Sequence, residues 1–509
     1  MSRFKLLICI VHLSIFTFAQ NDLDAIRYSR NTVGGSARFT GMGGAFGAVG
    51  ADLSCAAFNP AGLGIFRKGE ISFSGSIKLA SNTANIYTTN TLANNAYFAF
   101  NNFGIAFAWA ASNDPESRNV FSFNNSQVQN FNNSTTMSGY TKNSSIVTDM
   151  KMLADKAGDI NNLNYSYEGL AYNTFLLDDD GSTFNALVDP KRTVLQTREI
   201  VTSGRTNELN FSYAYSYKDK YYFGASVGVP RVEYESTTSH SESDNKDSMR
   251  VTFTSPTTYS TTYIDGLPNL HTYYDARLGF NNLIYTEYFK TKGNGLNLKI
   301  GGIARVNDVV RLGLYYHTPT IYFLNDTYYN TMIASFDKNP SSPDTDKNPP
   351  DGGYFEYRII TPSRVSANAA FVIKKLAVIA VDYEVINYAT VSLLSDKASV
   401  FAGINSTIKT KYNIGHNVRV GAEVNIKPVM LRAGYSMNGS PFGDAFNADF
   451  VRHTVSLGLG FRTKGKWYFD FFWAKSLTTE EYFLFTTNNT KAKLSLNASS
   501  LGATVGIKF

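Results

Sequence analysis

The stretch VRVGAEVNI, residues 418–426, puts Val418, Val420, Ala422, Val424 and Ile426 on one face of an extended chain. Arg419, Gly421, Glu423 and Asn425 fall on the other face. Side chains alternate across a strand, so this is a β period. The same period recurs in HTVSLGLGF (453–461) and in LGATVGIKF (501–509). A soluble sandwich shows that alternation too, so the composition of the two faces has to decide. Here one face is large, apolar and uninterrupted, whereas the other mixes small residues with charges. A wall with lipid outside and a polar interior requires that arrangement, because hydrocarbon tolerates few charges and every backbone group must pair in a closed ladder.

Outward from these strands, the composition agrees. The 509 residues are 43% hydrophobic, with 32 Tyr, 37 Phe and 39 Gly, yet no run of about 18 apolar residues offers a spanning helix. The opening MSRFKLLICIVHLSIFTFAQ reads as a secretory signal over residues 1–19, with Arg3 and Lys5 ahead of a short apolar core. Its removal leaves Cys55 as the sole cysteine, which excludes an internal disulfide. Aromatic groups such as Trp467-Tyr468-Phe469 and Phe471-Phe472-Trp473 suit interfacial girdles, and the terminal Phe509 falls on the outward face. Short turns are expected at Asn101-Asn102, Lys218-Asp219, Asn307-Asp308, Lys374-Lys375, Lys427-Pro428 and Lys464-Gly465. Long polar insertions separate them at 81–94, 112–205 (the largest), 237–281, 331–351, 389–409, 439–449 and 477–498. Six turns and seven loops predict an all-β, fourteen-stranded antiparallel transmembrane β-barrel spanning residues 69–509.

Fourteen strands enclose a bore too wide for wall side chains to fill. Residues 20–68 precede the barrel and include GGSARFTGMGGAFGAVG (34–50), with seven glycines in seventeen residues. This is not a dinucleotide loop: Gly41 and Gly43 are followed by Phe46 where the third glycine belongs, and no strand leads into it. Small residues and tight turns are what a plug pressed against its own wall needs, so 20–68 is expected to be an N-terminal hatch in the lumen.

The run from Ser36 to Leu63, SARFTGMGGAFGAVGADLSCAAFNPAGL, resembles the hatch of the FadL/OmpP1/TodX family of outer-membrane transporters of hydrophobic compounds. The matching residues are Ala51-Asp52-Leu53-Ser54 and Asn59-Pro60-Ala61-Gly62, so the hatch motif is Asp52, Ser54, Asn59, Pro60, Ala61 and Gly62. The hairpin VRVGAEVNIKPVMLRAGYSMNGSPF (418–442) and the segments VRLGLYYHTPTIY (310–322) and ITPSRVSANAAF (360–371) extend the likeness over the barrel. The resemblance implies passive uptake of hydrophobic molecules, such as long-chain fatty acids or aromatic hydrocarbons, with release by hatch movement and lateral exit at a kinked strand. It implies no cofactor and no enzymatic activity. The loops and Thr/Tyr/Asn-rich strands depart from fatty-acid carriers, so the ligand and its contacts are not carried over. They look like Bacteroidetes-type members, some labelled haemin receptors. A superfamily relative is the outer-membrane shuttle of type IX secretion, so a haemin receptor, or a barrel serving secretion or adhesion, is the alternative.

Other patterns reduce to structure. Gly224-Ala225-Ser226-Val227-Gly228 matches a nucleophile elbow in letters but lies in strand alternation. His240, His271, His317, His416 and His453 have no metal-ligand spacing. Asp344 to Asp351 reads as a proline-rich, solvated loop tip more readily than as a calcium loop. SSIVTDMKMLADKAGDI (144–160) has helical spacing at Val147, Met150, Leu153, Ala154 and Ala157, for packing on loops or lining an entrance. A net charge of +6 with scattered basic residues carries no nucleic-acid signal, and the expected partners are outer-membrane lipid and lipopolysaccharide. Lys299, Arg311, Arg419, Glu423 and Arg432 face inward as a structural polar network.

Overall fold

The computed structural model describes residues 22–32, 34–111, 114–179, 181–189, 191–246, 249, 252–255, 258–260, 279–337, 343–374, 376–397, 399–442, 450–463, 465–485, 487 and 490–509. The expected signal peptide (1–19) and His271 lie outside them.

Fourteen antiparallel wall strands close into a barrel. They are β1 (Glu70–Ile86), β2 (Thr89–Ala111), β3 (Asp114–Asn130, resuming at Asn133–Thr141), β4 (Val194–Tyr217) and β5 (Tyr221–Ser243). Next come β6 (Phe280–Arg305), β7 (Val310–His317, resuming at Ile321–Phe336) and β8 (Asp344–Ile360, resuming at Arg364–Ile373). The wall is completed by β9 (Ala377–Asn387), β10 (Ile414–Ile426), β11 (Val429–Asn438), β12 (Arg452–Arg462), β13 (Trp467–Phe483) and β14 (Lys491–Lys508). Neighbours in sequence pair in turn, and β14 returns to β1 from Glu70↔Lys508 to Asn85↔Lys493, so the ring has no edge there.

The faces are inverted relative to a soluble protein. Phe73, Phe107, Phe223, Leu298, Leu314, Leu457 and Leu501 point outward and are exposed, whereas Ser74, Asn102, Asn210, Lys299, Arg432 and Asp470 are buried inside. Strand β5 marks where the membrane ends. Tyr221, Phe223, Val227 and Val229 face out, and the next outward residues are Arg231 and Glu233. Nine residues at about 3.3 Å each span about 30 Å, the thickness of hydrocarbon. Above that level the inward residues Val232 and Tyr234 become buried and apolar. The strand thus exchanges its faces where lipid gives way to water.

Strands therefore run well past the membrane, and β6 reaches 26 residues. In the upper wall, α3 (Ile146–Ala157) and α4 (Glu168–Asn173) pack Ile146, Val147, Met150 and Leu170 on Ile86, Met137, Leu283, Tyr285, Met332 and Leu494 from the strand tops. Glu242 of β5 fixes this cap: it accepts from Ser145 Oγ and Ile146 N, both at 2.6 Å, at the start of α3. The helical spacing in 144–160 thus serves packing.

Several expected boundaries move. Asn101-Asn102 is not a turn but lies inside β2, where the register slips opposite Ser74/Gly75. That bulge leaves both asparagines buried, where they bond Ser76 and Ser126. Two adjacent inward asparagines break the alternation and so imitate a turn in the sequence. The segment 112–205 is not one loop either. It holds all of β3 and the first part of β4, leaving 142–193 as the connection. Residues 344–351 belong to β8 and pair with β7 as far as Asn330↔Asn348, so they are not a loop tip. In the aromatic run, Trp467, Phe469, Phe471 and Trp473 face lipid, but Tyr468 and Phe472 point inward and are buried. Tyr468 donates to Glu70 at 2.6 Å.

The belt is testable. Leu457→Arg, near its middle on β12, should destabilise the barrel by about 2–4 kcal/mol in denaturant unfolding from lipid vesicles. A change smaller than about 0.5 kcal/mol would mean that this face does not meet hydrocarbon.

Candidate functional site

The bore is filled by the chain's own leading segment. It begins with α1 (Asp22–Ser29), continues through α2 (Ala37–Gly41) and ends in two 3-10 turns, Leu53–Ala57 and Pro60–Ile65. Nearly every residue from Gly35 to Phe66 is buried. Contacts reach β11–β14 from α2, and β4, β5 and β6 from the second 3-10 turn, so the segment spans the lumen from wall to wall.

Glycine makes this approach possible. A methyl group on Gly43 (φ +62°) would sit 2.8 Å from Tyr435 N, and one on Gly434 would sit 2.1 Å from Gly43 N. At Gly421 it would meet Met42 O at 2.3 Å, and at Gly224 it would meet Ala61 N at 2.3 Å. Glycines on the wall face the plug just as glycines on the plug face the wall, and two backbones meet with no side chain between them. Gly224 and Ser226 lie in this lining, with Ser226 bonded to Ser212 at 2.8 Å.

Charge supplies the second attachment. Arg38 donates to both oxygens of Glu423 at 2.9 Å, a bidentate pair. Glu423 also accepts from Arg432 Nε at 2.6 Å, and Arg432 Nη1 donates to Asp470 at 2.7 Å. Asp382 accepts from Phe46 N and Gly47 N, both at 2.9 Å. Arg311 Nη1 donates to Val49 O at 3.2 Å, and His317 lies 2.6 Å from Phe58 O. Lys299 pairs with Glu208, and Arg419 with Glu384 at 2.9 Å. Four of the five inward residues singled out in the sequence thus sit in luminal ion pairs, and the fifth, Arg311, holds plug backbone.

The motif residues stitch the plug to itself. Asp52 accepts from Ser54 N at 2.9 Å and from Ser36 Oγ at 2.6 Å, while Ser54 Oγ accepts from Ser36 N at 2.8 Å. Asn59 caps the turn that Pro60 opens: its Oδ1 accepts from Ala61 N at 3.1 Å, and its Nδ2 donates to Gly47 O at 2.6 Å. Gly62 O accepts from Ala51 N at 3.0 Å. All six are buried, and none of them lines the luminal cavity described next.

Among the described residues, the wall within the lipid belt is split between β2 and β3. The β2–β3 ladder rises from Ala111↔Asp114 to Asn102↔Ser126 and ends. Above it, Thr89–Asn101 of β2 pairs with β1 alone, whereas β3 stays with β4 and bends at 131–132. Phe98, 67% exposed, flanks the split at the height of the apolar belt. From inside, Thr32 N donates to Val128 O on the freed edge of β3 at 3.0 Å. Behind the split lies a cavity of about 240 Å³, bordered by Tyr97 and Asn101 of β2, Asn130 and Phe131 of β3, Thr32 and Thr40 of the plug, and Lys78 and Arg452.

Sequence reasoning did not single out these cavity residues. Lys78 continues the inward series Ser72-Ser74-Ser76, and Arg452 continues Thr454-Ser456, so the signal was present in the alternation. What the sequence lacked was the convergence of seven strands, β1–β3 and β11–β14. Among the described residues no histidine lines the cavity. His240 is buried against Glu242 at 3.0 Å, and His416 and His453 lie on the outer face, each 2.8 Å from a tyrosine hydroxyl. No described group of histidine, cysteine and carboxylate residues is arranged to hold a metal.

No protein-family model matches the sequence, and no curated protein does. Solved structures match the fold. A Pseudomonas aeruginosa FadL homologue superposes with a TM-score of 0.53 at 12% identity, over 94% of this chain and 99% of that one. The Pseudomonas putida toluene transporter TodX superposes with a TM-score of 0.50 at 12% identity, over 94% and 99%. The chain therefore has the FadL-type barrel fold.

Removing the Arg38 clamp tests what holds the plug. Arg38→Ala should weaken plug docking by about 1.5–3 kcal/mol. Limited proteolysis should then cut within 22–66 faster while the barrel keeps its heat-modifiable mobility. Gly434→Val should act in the same direction, whereas Gly465→Val, in an open turn, should not. Unchanged protection in both lumen variants would show that these contacts do not retain the plug.

Proposed function

We propose that the chain is a plugged outer-membrane barrel for passive uptake of hydrophobic or amphipathic small molecules, with residues 22–66 acting as the hatch. The observation that carries this reading is the split between β2 and β3 at the height of the lipid belt, with a cavity directly behind it. A solute in that cavity has a short sideways path into the membrane and need not cross water. Within the lipid belt the other described neighbouring strands stay laddered, so the split is a local departure there and not a general looseness.

Transport by this route needs no covalent step. It needs weak sites in sequence and a plug whose attachments can be exchanged. The plug's attachments to the wall are non-covalent: glycine contacts, the Arg38–Glu423 and Asp22–Lys411 ion pairs, single hydrogen bonds and a cluster of small wall residues against Phe39, Met42 and Phe46. The similar solved barrels are a FadL homologue and a toluene transporter, which accords with a solute of this class. Haem as the solute finds no support at the cavity, since no described histidine reaches it. The apolar cap over the loop end favours a second reading, a closed barrel that serves as an interaction platform.

Deleting the gene should lower the uptake of labelled oleate several-fold, and the wild-type chain should restore it. The purified protein, after exchange into neutral detergent, should carry apolar molecules detectable by mass spectrometry. Unchanged uptake together with an empty barrel would favour the closed platform instead. Deleting residues 21–62 should leave a folded barrel of higher permeability; loss of the folded form would make the segment a structural core.

A further inference from the structure

Two adjacent glycines on β6 stand in opposite circumstances. A methyl group on Gly301 would strike Asn59 Oδ1 of the plug at 1.9 Å, so packing requires glycine there. A methyl group on Gly302, which faces lipid, would meet nothing nearer than Tyr222 O at 3.8 Å. Its backbone also lies outside the left-handed region. Neither space nor conformation within the chain calls for glycine at 302.

The ladder shows what the missing side chain creates. Gly302 lies between Phe223 of β5 and Leu314 of β7, and Ala304 lies between Tyr221 and Leu312. Both rows read large, small, large, so β6 is the floor of a groove and its neighbours are the walls. Ile300 closes the upper end. The apolar groove encloses about 750 Å³, within the roughly 300–1,000 Å³ range of small-molecule sites. The outward belt of β5 runs from Tyr221 to Val229, and the groove occupies its Tyr221 end. That end carries the short turns, which face the periplasm in barrels of this kind.

The rim at the foot of the groove is basic. Arg305 N donates to Lys220 O at 2.8 Å, which fixes the β4–β5 turn beside the end of β6. Lys220 Nζ stands 5.4 Å from the ring centre of Tyr221, and Lys218 Nζ stands 5.5 Å from that of Tyr217, which pairs with Tyr221. The acids of this rim are engaged elsewhere: Asp219 accepts from Arg67 at 2.5 Å and Asp308 from Arg305 at 2.6 Å. Among the described residues, no carboxylate lies within ion-pair distance of Lys218 or Lys220.

We infer that this groove docks an anionic glycerophospholipid of the short-turn leaflet, with one acyl chain on Gly302 and Ala304 and the phosphate held by Lys218 and Lys220. Charge decides against other occupants. A neutral hydrocarbon leaves both lysines unanswered. A second barrel, related by a two-fold axis along the membrane normal, would bring the same lysines of both copies to one rim, where they repel. A phosphate at the interface supplies their acceptor, while the lysine stems lie along the tyrosines. The site is on the outer wall and does not depend on solute uptake through the lumen.

The test is native mass spectrometry of the full mature barrel in neutral detergent, with dioleoyl phosphatidylglycerol and dioleoyl phosphatidylcholine at equal concentration. Phosphatidylglycerol should be retained about fivefold or more over phosphatidylcholine, the effect of one lysine near an anionic surface. Lys218→Asn with Lys220→Gln should bring the two lipids to parity. Gly302→Leu, for which the wall has room, should lower phosphatidylglycerol retention about fivefold while the barrel keeps its heat-modifiable mobility. Should Gly302→Leu fail to fold, the wild-type ratio and the lysine variant, altered only in an exposed turn, decide the matter. Equal retention of both lipids by the wild type, or a preference unchanged in the lysine variant, would overturn the site. A two-barrel species that Gly302→Leu abolishes would overturn it too, giving the groove to a second copy.

Discussion

Hydrocarbon offers no partner to a peptide group, and that single constraint organises the molecule. Every N–H and C=O at membrane depth must pair within the chain, so the sheet has to meet itself, as β14 does with β1 over its full shared length. Closure then dictates where side chains go. One face of each strand is committed to lipid, and the other is left with a bore that water or protein must fill. The polar interior of Ser74, Asn124, Asn210 and Ser456 is the consequence of an apolar exterior.

Filling the bore raises a second problem, because a plug that packs tightly enough to seal must still fit against a corrugated wall. Here the solution is bare backbone. Gly43 against Gly434 and Gly421 against Met42 bring two main chains together, and Arg38 reaching Glu423 fixes their register. Glycine contact contributes shape with little apolar burial, and the ion pair contributes direction in a lumen of low dielectric. A seal built that way is specific without being deep, which suits a segment proposed to move.

The same strands serve two solvents along their length. Where β5 leaves the membrane, its outward residues turn charged and its inward residues turn apolar, and the loops build a conventional core inside the upper wall. The barrel is thus a membrane protein below and a soluble protein above, with the plug's α1 helix at the junction. The split between β2 and β3 opens near that same level, where β3 is drawn inward to join the upper core.

Alternation by itself determined the class of fold, the outward face of β10, β12 and β14, five of the six short turns and the inward set of Lys299, Arg311, Arg419, Glu423 and Arg432. These are properties of a two-residue period, which a single strand displays without reference to its neighbours. The count of fourteen was reached although one bulge was read as a turn and one strand as a loop, because those two misreadings cancelled. Tertiary structure alone decided that Asn101 and Asn102 share a face, that β3 abandons β2, and that Lys78 and Arg452, from opposite ends of the chain, meet in one cavity without a carboxylate between them. Register, bulges and charge pairing depend on which strands lie side by side, and no local pattern of residues encodes that.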